Sequence, residues 1–139
     1  MHIEQSVDIA ASPERVWETT VDIPRWPEWN PTVDAVEVLT PKPMGLGWTA
    51  RLKQPGNQPG TWTVTRFEAP RVYEWDTRPL GMHVTALHVL EPSATGTRVT
   101  LSIDVEGPTA FLLGWIVARV SRKFLPMETA ALKQECERT

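Results

Sequence analysis

The stretch from Ile9 to Val36, IAASPERVWETTVDIPRWPEWNPTVDAV, decides the fold of this 139-residue chain. It is entered from an alternating segment with Ile3, Val7 and Ile9 on one side, which predicts a strand. At Ser12-Pro13-Glu14 the strand has to stop. A serine hydroxyl can cap a helix, proline suits the first helical turn and glutamate complements the positive end of the helix dipole. A short helix follows. Asp22-Ile23-Pro24 then restarts a second short helix carrying Trp26 and Trp29, which Pro27 and Pro31 end before the next strand.

Beyond this corner, alternation recurs in short blocks separated by Pro and Gly, the pattern of antiparallel strands joined by hairpins. Strands are predicted near 2–10, 33–40, 47–54, 61–68, 71–78, 81–91 and 97–106. The plainest loops are 54–60, reading QPGNQPG, and 92–96, reading PSATG. The last strand has the cleanest period, with Val99, Leu101, Ile103 and Val105 on one face and Arg98, Thr100, Ser102, Asp104 and Glu106 on the other, so one face is buried.

After Gly107-Pro108 the chain reads as one helix from about Thr109 to Glu137. Leu113, Ile116, Val117, Val120, Phe124, Met127 and Ala131 project onto a single stripe that is expected to cover the sheet. Pro126 inside this helix predicts a bend near Arg122 to Pro126. Phe111 and Trp115, one turn apart, fall off the stripe and need another cover, either a loop or a second copy of the chain, which makes them a candidate homodimer contact.

A strand, two small helices, a run of strands and a long terminal helix resemble the polyketide cyclase/dehydrase and lipid-transport family of the START and birch-pollen-allergen-like (SRPBCC) superfamily. The segments His88-Val89-Leu90-Glu91-Pro92 and Gly96-Thr97-Arg98-Val99 belong to the same likeness. The resemblance implies an α+β helix-grip fold: a curved seven-stranded antiparallel sheet wrapped around the C-terminal helix, with a cavity between them, in one domain over residues 1–139. Its signatures are architectural, and they transfer no catalytic residue.

Aromatic side chains at inward positions are the main functional signal. Trp48 shares a strand face with Ala50 and Leu52, Trp62 shares one with Val64, and Tyr73 and Trp75 oppose Glu74 and Asp76. Each of these rings alone reads as core; together they suggest a pocket for a flat hydrophobic ligand. With Ile116, Val120, Phe124 and Met127 from the helix, they form the expected ligand-binding set. Gln5 interrupts the inward series of the first strand, and a buried amide there needs a partner in protein, water or ligand. His88 shares a face with Val84, Ala86 and Leu90; it either orients or protonates a ligand or is a satisfied core histidine. It is the single catalytic candidate.

Other chemistries find little support. His83 and His88 are an odd number apart and go to opposite faces, and His2 lacks a ligand cluster, so no metal is expected. Gly45-Leu46-Gly47-Trp48 imitates a dinucleotide fingerprint but leads into a strand rather than a helix, which makes it a turn, and no cofactor is expected. Cys136 has no assignable histidine base, and as the sole cysteine it permits no intrachain disulfide. A net charge of −3 gives no pull toward nucleic acid. The longest apolar run, Ala110 to Ala118, is too short to span a membrane. The opening MHIEQSVDI has neither the basic nor the apolar part of a signal peptide, so the expected location is the cytoplasm. Arg119, Arg122 and Lys123 form a basic helix face that is either solvated or meets an anion, a headgroup or an acidic partner.

Three functional readings follow. The leading one is binding of a hydrophobic, aromatic or polycyclic small molecule inside the cavity. The resemblance adds an aromatase/cyclase or dehydratase acting on a polyketide-like chain. It also adds a protein-interaction module, co-chaperone-like or associated with ribosome or quinone, for which Phe111, Trp115 and the basic face matter more than the cavity.

Overall fold

The computed structural model describes residues 1–138. Its elements are β1 (His2–Ile9), α1 (Pro13–Val21), a 3-10 helix (Ile23–Glu28), β2 (Ala35–Val38), β3 (Thr49–Lys53), β4 (Gly60–Glu68), β5 (Val72–Thr77), a 3-10 turn (Pro79–Gly81), β6 (His83–Ser93), β7 (Gly96–Glu106) and α2 (Ala110–Glu137). The seven strands form one antiparallel sheet in the order β1-β7-β6-β5-β4-β3-β2. β2 to β7 are a meander, and β1 closes the far edge beside β7, with Ile3 opposite Ile103 and Val7 opposite Val99. With α2 packed across it, this is the α+β helix-grip architecture.

The Ser12 corner works as its chemistry predicts: the Ser12 hydroxyl accepts a hydrogen bond from the Arg15 N–H at 3.2 Å, and Pro13 opens α1. The second short helix is a 3-10 helix, and Trp29 is its C-terminal cap rather than a member. β2 covers only four residues, shorter than the expected 33–40, because Pro41 and Pro43 interrupt pairing on one side while Asn30 and Val33 are taken up by a turn on the other. A register shift between Val64 and Arg66 in β4 marks an irregularity that bends that strand. Gly45-Leu46-Gly47 is a turn into β3, with Gly47 at φ 83.

α2 differs from expectation in its orientation. Its most buried residues are Gly114, Ala118, Ser121, Phe124, Leu125, Thr129, Leu132 and Cys136; the large apolar side chains of the predicted stripe stand mostly beside this line rather than on it. The cause is size. α2 approaches β1 and β7 closely, and small residues permit that approach: a Cβ at Gly114 would already touch Val105 and Met1 at 3.6 Å. Ile116, Val117, Val120 and Phe124 are thereby turned toward β3–β6, from which α2 stands off. Helical geometry continues without interruption through Pro126.

Candidate functional site

The gap between α2 and the β3–β6 half of the sheet is a cavity of about 490 Å³, within the range usual for small-molecule sites. Its sheet wall includes Leu52, Trp62, Trp75, Ala86 and His88, and its helix wall Ile116, Val117, Val120 and Phe124. Period-2 alternation puts Val84, Ala86, His88 and Leu90 on the inner face of β6, and each is buried. His83 goes to the other face, where its Nε2 lies 2.7 Å from an Asp76 carboxylate oxygen.

The aromatic wall is a connected array. The Trp62 and Trp75 rings lie 5.1 Å apart, and Trp75 meets Trp26 edge-on at 5.5 Å. Trp26 is fixed by its indole N–H, which donates to the Thr20 carbonyl at 3.1 Å. That bond anchors the short helix to the end of α1, and the same ring also walls the cavity. The array continues from Trp26 to His88 and from His88 to Tyr73, whose rings stack at 4.1 Å with an interplanar angle of 10°.

Of the ten residues expected to bind ligand, the structure brings six to the cavity: Trp62, Trp75, His88, Ile116, Val120 and Phe124. The other four lie outside its lining. Trp48 is buried and donates its indole N–H to the Lys42 carbonyl at 3.1 Å, a core contact that holds the loop before β3. Tyr73 is fully buried behind His88, its hydroxyl 3.2 Å from both the hydroxyl and the carbonyl oxygen of Thr20. Gln5 is half-buried in β1, the strand that α2 covers closely. Met127 points to solvent because α2 is rotated from the expected stripe.

Two titratable groups sit in this mostly apolar chamber. His88 is buried, its Nδ1 has no hydrogen-bond partner among the described residues, and burial pushes its pKa down to about 3, so the ring is neutral near neutral pH. Glu128, one turn beyond Phe124, also lines the cavity. Its Oε1 accepts a hydrogen bond from the Asn30 amide at 3.2 Å, and the Asn30 oxygen is committed to the Thr32 N–H at 3.0 Å and the Thr32 hydroxyl at 2.8 Å. Burial outweighs that bond and raises the Glu128 carboxyl to about 7. Sequence reasoning passed over Glu128, although a lone carboxylate four residues after Phe124 on an apolar series was a readable signal.

Residues 1–137 match the family described as polyketide cyclase / dehydrase and lipid transport. The chain belongs to that family. Uncharacterized proteins of Mycobacterium tuberculosis and Mycobacterium bovis are 31% identical over 81 residues, which is 55% of this chain and 48% of theirs, so the chain spans about half the length of the curated relatives it matches. Among solved structures, the Zhui aromatase/cyclase from Streptomyces sp. R1128 superposes with a TM-score of 0.80 at 22% identity, covering 99% of this chain and 94% of that one. A START superfamily protein from Mycobacterium smegmatis gives 0.78 at 19%, covering 98% and 97%. At these identities the likeness is one of fold. Among the described residues no helix is long and apolar enough to cross a membrane.

Proposed function

We propose that this chain binds a flat, hydrophobic, aromatic or polycyclic small molecule between its sheet and α2. The observation that carries the reading is the cavity of about 490 Å³ walled by Trp26, Trp62 and Trp75 on one side and by the apolar residues of α2 on the other. Aromatic walls favour a planar guest through stacking and edge contacts. Neutral His88 and the Glu128–Asn30 pair supply the few polar groups that orient it, suiting a guest with a hydroxyl or carbonyl on an otherwise apolar frame.

The test is titration with a hydroxyanthraquinone, read as quenching of tryptophan emission. Saturable one-to-one quenching is expected, and Ala86→Phe, which fills the chamber from β6, is expected to weaken it at least about tenfold. Quenching that is unsaturable, or unaffected by Ala86→Phe, would sink the reading.

One observation favours catalysis as a second reading. A carboxyl with a pKa near 7 is suited to giving and taking protons at neutral pH, whereas an imidazole with a pKa near 3 is not. In a cyclisation or dehydration Glu128 would carry the proton and His88 would hold a substrate oxygen by a hydrogen bond. On a polyketide-like substrate, Glu128→Gln is expected to lower turnover by roughly 10² or more with ligand affinity nearly kept. His88→Gln should act mainly on affinity. Equal turnover in Glu128→Gln and wild type removes the proton-transfer role.

A further inference from the structure

The exposed face of the first half of α2 has an ordered composition. Phe111, Leu112, Trp115 and Ile116 occupy its first two turns, and Arg119, Arg122 and Lys123 the next two. At about 100° per residue, all seven fall within roughly 140° of the helix circumference. The apolar four are well exposed, Phe111 at 88% and Trp115 at 58%. Residues 107–127 hold these three cations and no Asp or Glu, in a chain whose net charge is −3. Among the described residues none of the three cations is in an ion pair, and Lys123 Nζ lies 6.0 Å from the centre of the Phe124 ring.

The patch continues across the cavity mouth. Leu80 is 76% exposed yet also lines the cavity, as does Ile116 from the opposite side. Leu80 holds a left-handed backbone conformation, φ 51, that a branched residue adopts only when its surroundings impose it. Here the Thr109 hydroxyl donates to the Leu80 carbonyl at 2.7 Å, tying the 79–81 turn to the start of α2.

We propose that this face docks on an anionic lipid bilayer, with Phe111, Trp115 and Leu80 entering the acyl boundary and Arg119, Arg122 and Lys123 meeting headgroup phosphates. Arg119 lies four residues, about 6 Å along the axis, behind Trp115, so a helix that enters with its N-terminal end carries Phe111 and Trp115 into the acyl boundary while the cations stay at the headgroups. A second copy of the chain fits less well. A two-fold contact through the same helix end would bring both sets of cations together with no carboxylate in the segment to answer them. A bilayer of anionic lipid answers both halves of the patch at once. Docking places the apolar cavity mouth against the membrane, the source from which a hydrophobic guest is most available, but the docking itself needs no guest.

The experiment is co-sedimentation of the whole chain with vesicles of phosphatidylcholine alone or mixed with phosphatidylglycerol. Binding to the mixed vesicles, weakened by added salt and absent with phosphatidylcholine alone, is expected. The triple change Arg119→Gln/Arg122→Gln/Lys123→Gln should lower the partition coefficient by roughly 10²-fold. Phe111→Ser/Trp115→Ser should abolish binding, with the melting temperature of both variants unchanged because the altered side chains are exposed. Absence of wild-type binding to mixed vesicles, or equal binding by all three proteins, overturns the proposal. A wild-type dimer that Phe111→Ser/Trp115→Ser splits into folded monomers, without vesicle binding, assigns the face to a second copy and also overturns it. The hydroxyanthraquinone titration uses no lipid, so failure of docking and failure of ligand binding are told apart.

Discussion

His88 and Glu128 are moved in opposite directions by one physical cause. Burial disfavours whichever form is charged, the protonated imidazole in one and the deprotonated carboxyl in the other. Folded Glu128 holds its proton up to about pH 7 against an ordinary 4.5, so its contribution to stability is fully present below about 4.5 and is lost as pH rises through 7. Folded His88 gives up its proton down to about 3 against an ordinary 6.5, so its contribution is present above about 6.5 and is lost as pH falls toward 3. Between about 4.5 and 6.5 the two slopes oppose each other. Urea unfolding across this window should therefore show Glu128→Gln losing stability on acidification and His88→Gln gaining it, each relative to wild type. Parallel profiles for all three proteins would mean that neither group is buried as described.

At the scale of elements, two glycines with different surroundings predict opposite outcomes. Gly96 opens β7 at φ 146, and a Cβ there would lie 2.5 Å from the Ile9 carbonyl oxygen and 2.7 Å from that of Ala11, so the end of β1 and the β6–β7 hairpin meet backbone to backbone. Gly96→Ala should cost more than about 2 kcal/mol, because neither backbone can yield. Gly114 is helical, and its added Cβ would find only ordinary contacts at 3.6 Å or beyond. Gly114→Ala is expected to stabilise the protein by about 0.5–1 kcal/mol by restricting the unfolded chain. A destabilised Gly114→Ala would show that α2 sits closer to β7 than this geometry allows. Next to the Gly96 contact, Ser12→Ala removes the bond to the Arg15 N–H and should cost about 1 kcal/mol in chemical denaturation.

On the scale of the whole molecule, the helix-grip arrangement leaves a void because α2 rests on β1 and β7 and bridges the rest of the sheet. A guest that fills the void binds only the folded state. At a concentration about 100 times its dissociation constant it should stabilise the protein by about 2.7 kcal/mol, a rise of several degrees in melting temperature. Ala86→Phe should show little of that rise, since its ring occupies part of the same space.

What the sequence determined was whatever depends on local chemistry. Ser12-Pro13 ends β1 and starts α1, proline and glycine place the hairpins, and period-2 alternation sends Trp75, Ala86 and His88 inward while His83 goes out. The α+β architecture followed from that series of elements and from the family resemblance. The tertiary structure alone decided how α2 is turned. A helical projection finds the largest apolar side chains and assumes that they face the nearest sheet, but close packing put Gly114, Ala118 and Ser121 there and turned Val120 and Phe124 to the cavity and Met127 to solvent. The same rotation carries Glu128 into the chamber, where Asn30, distant in sequence, meets it. The pKa values of His88 and Glu128 were beyond reach for the same reason: they depend on burial by residues from several elements, which no local pattern encodes.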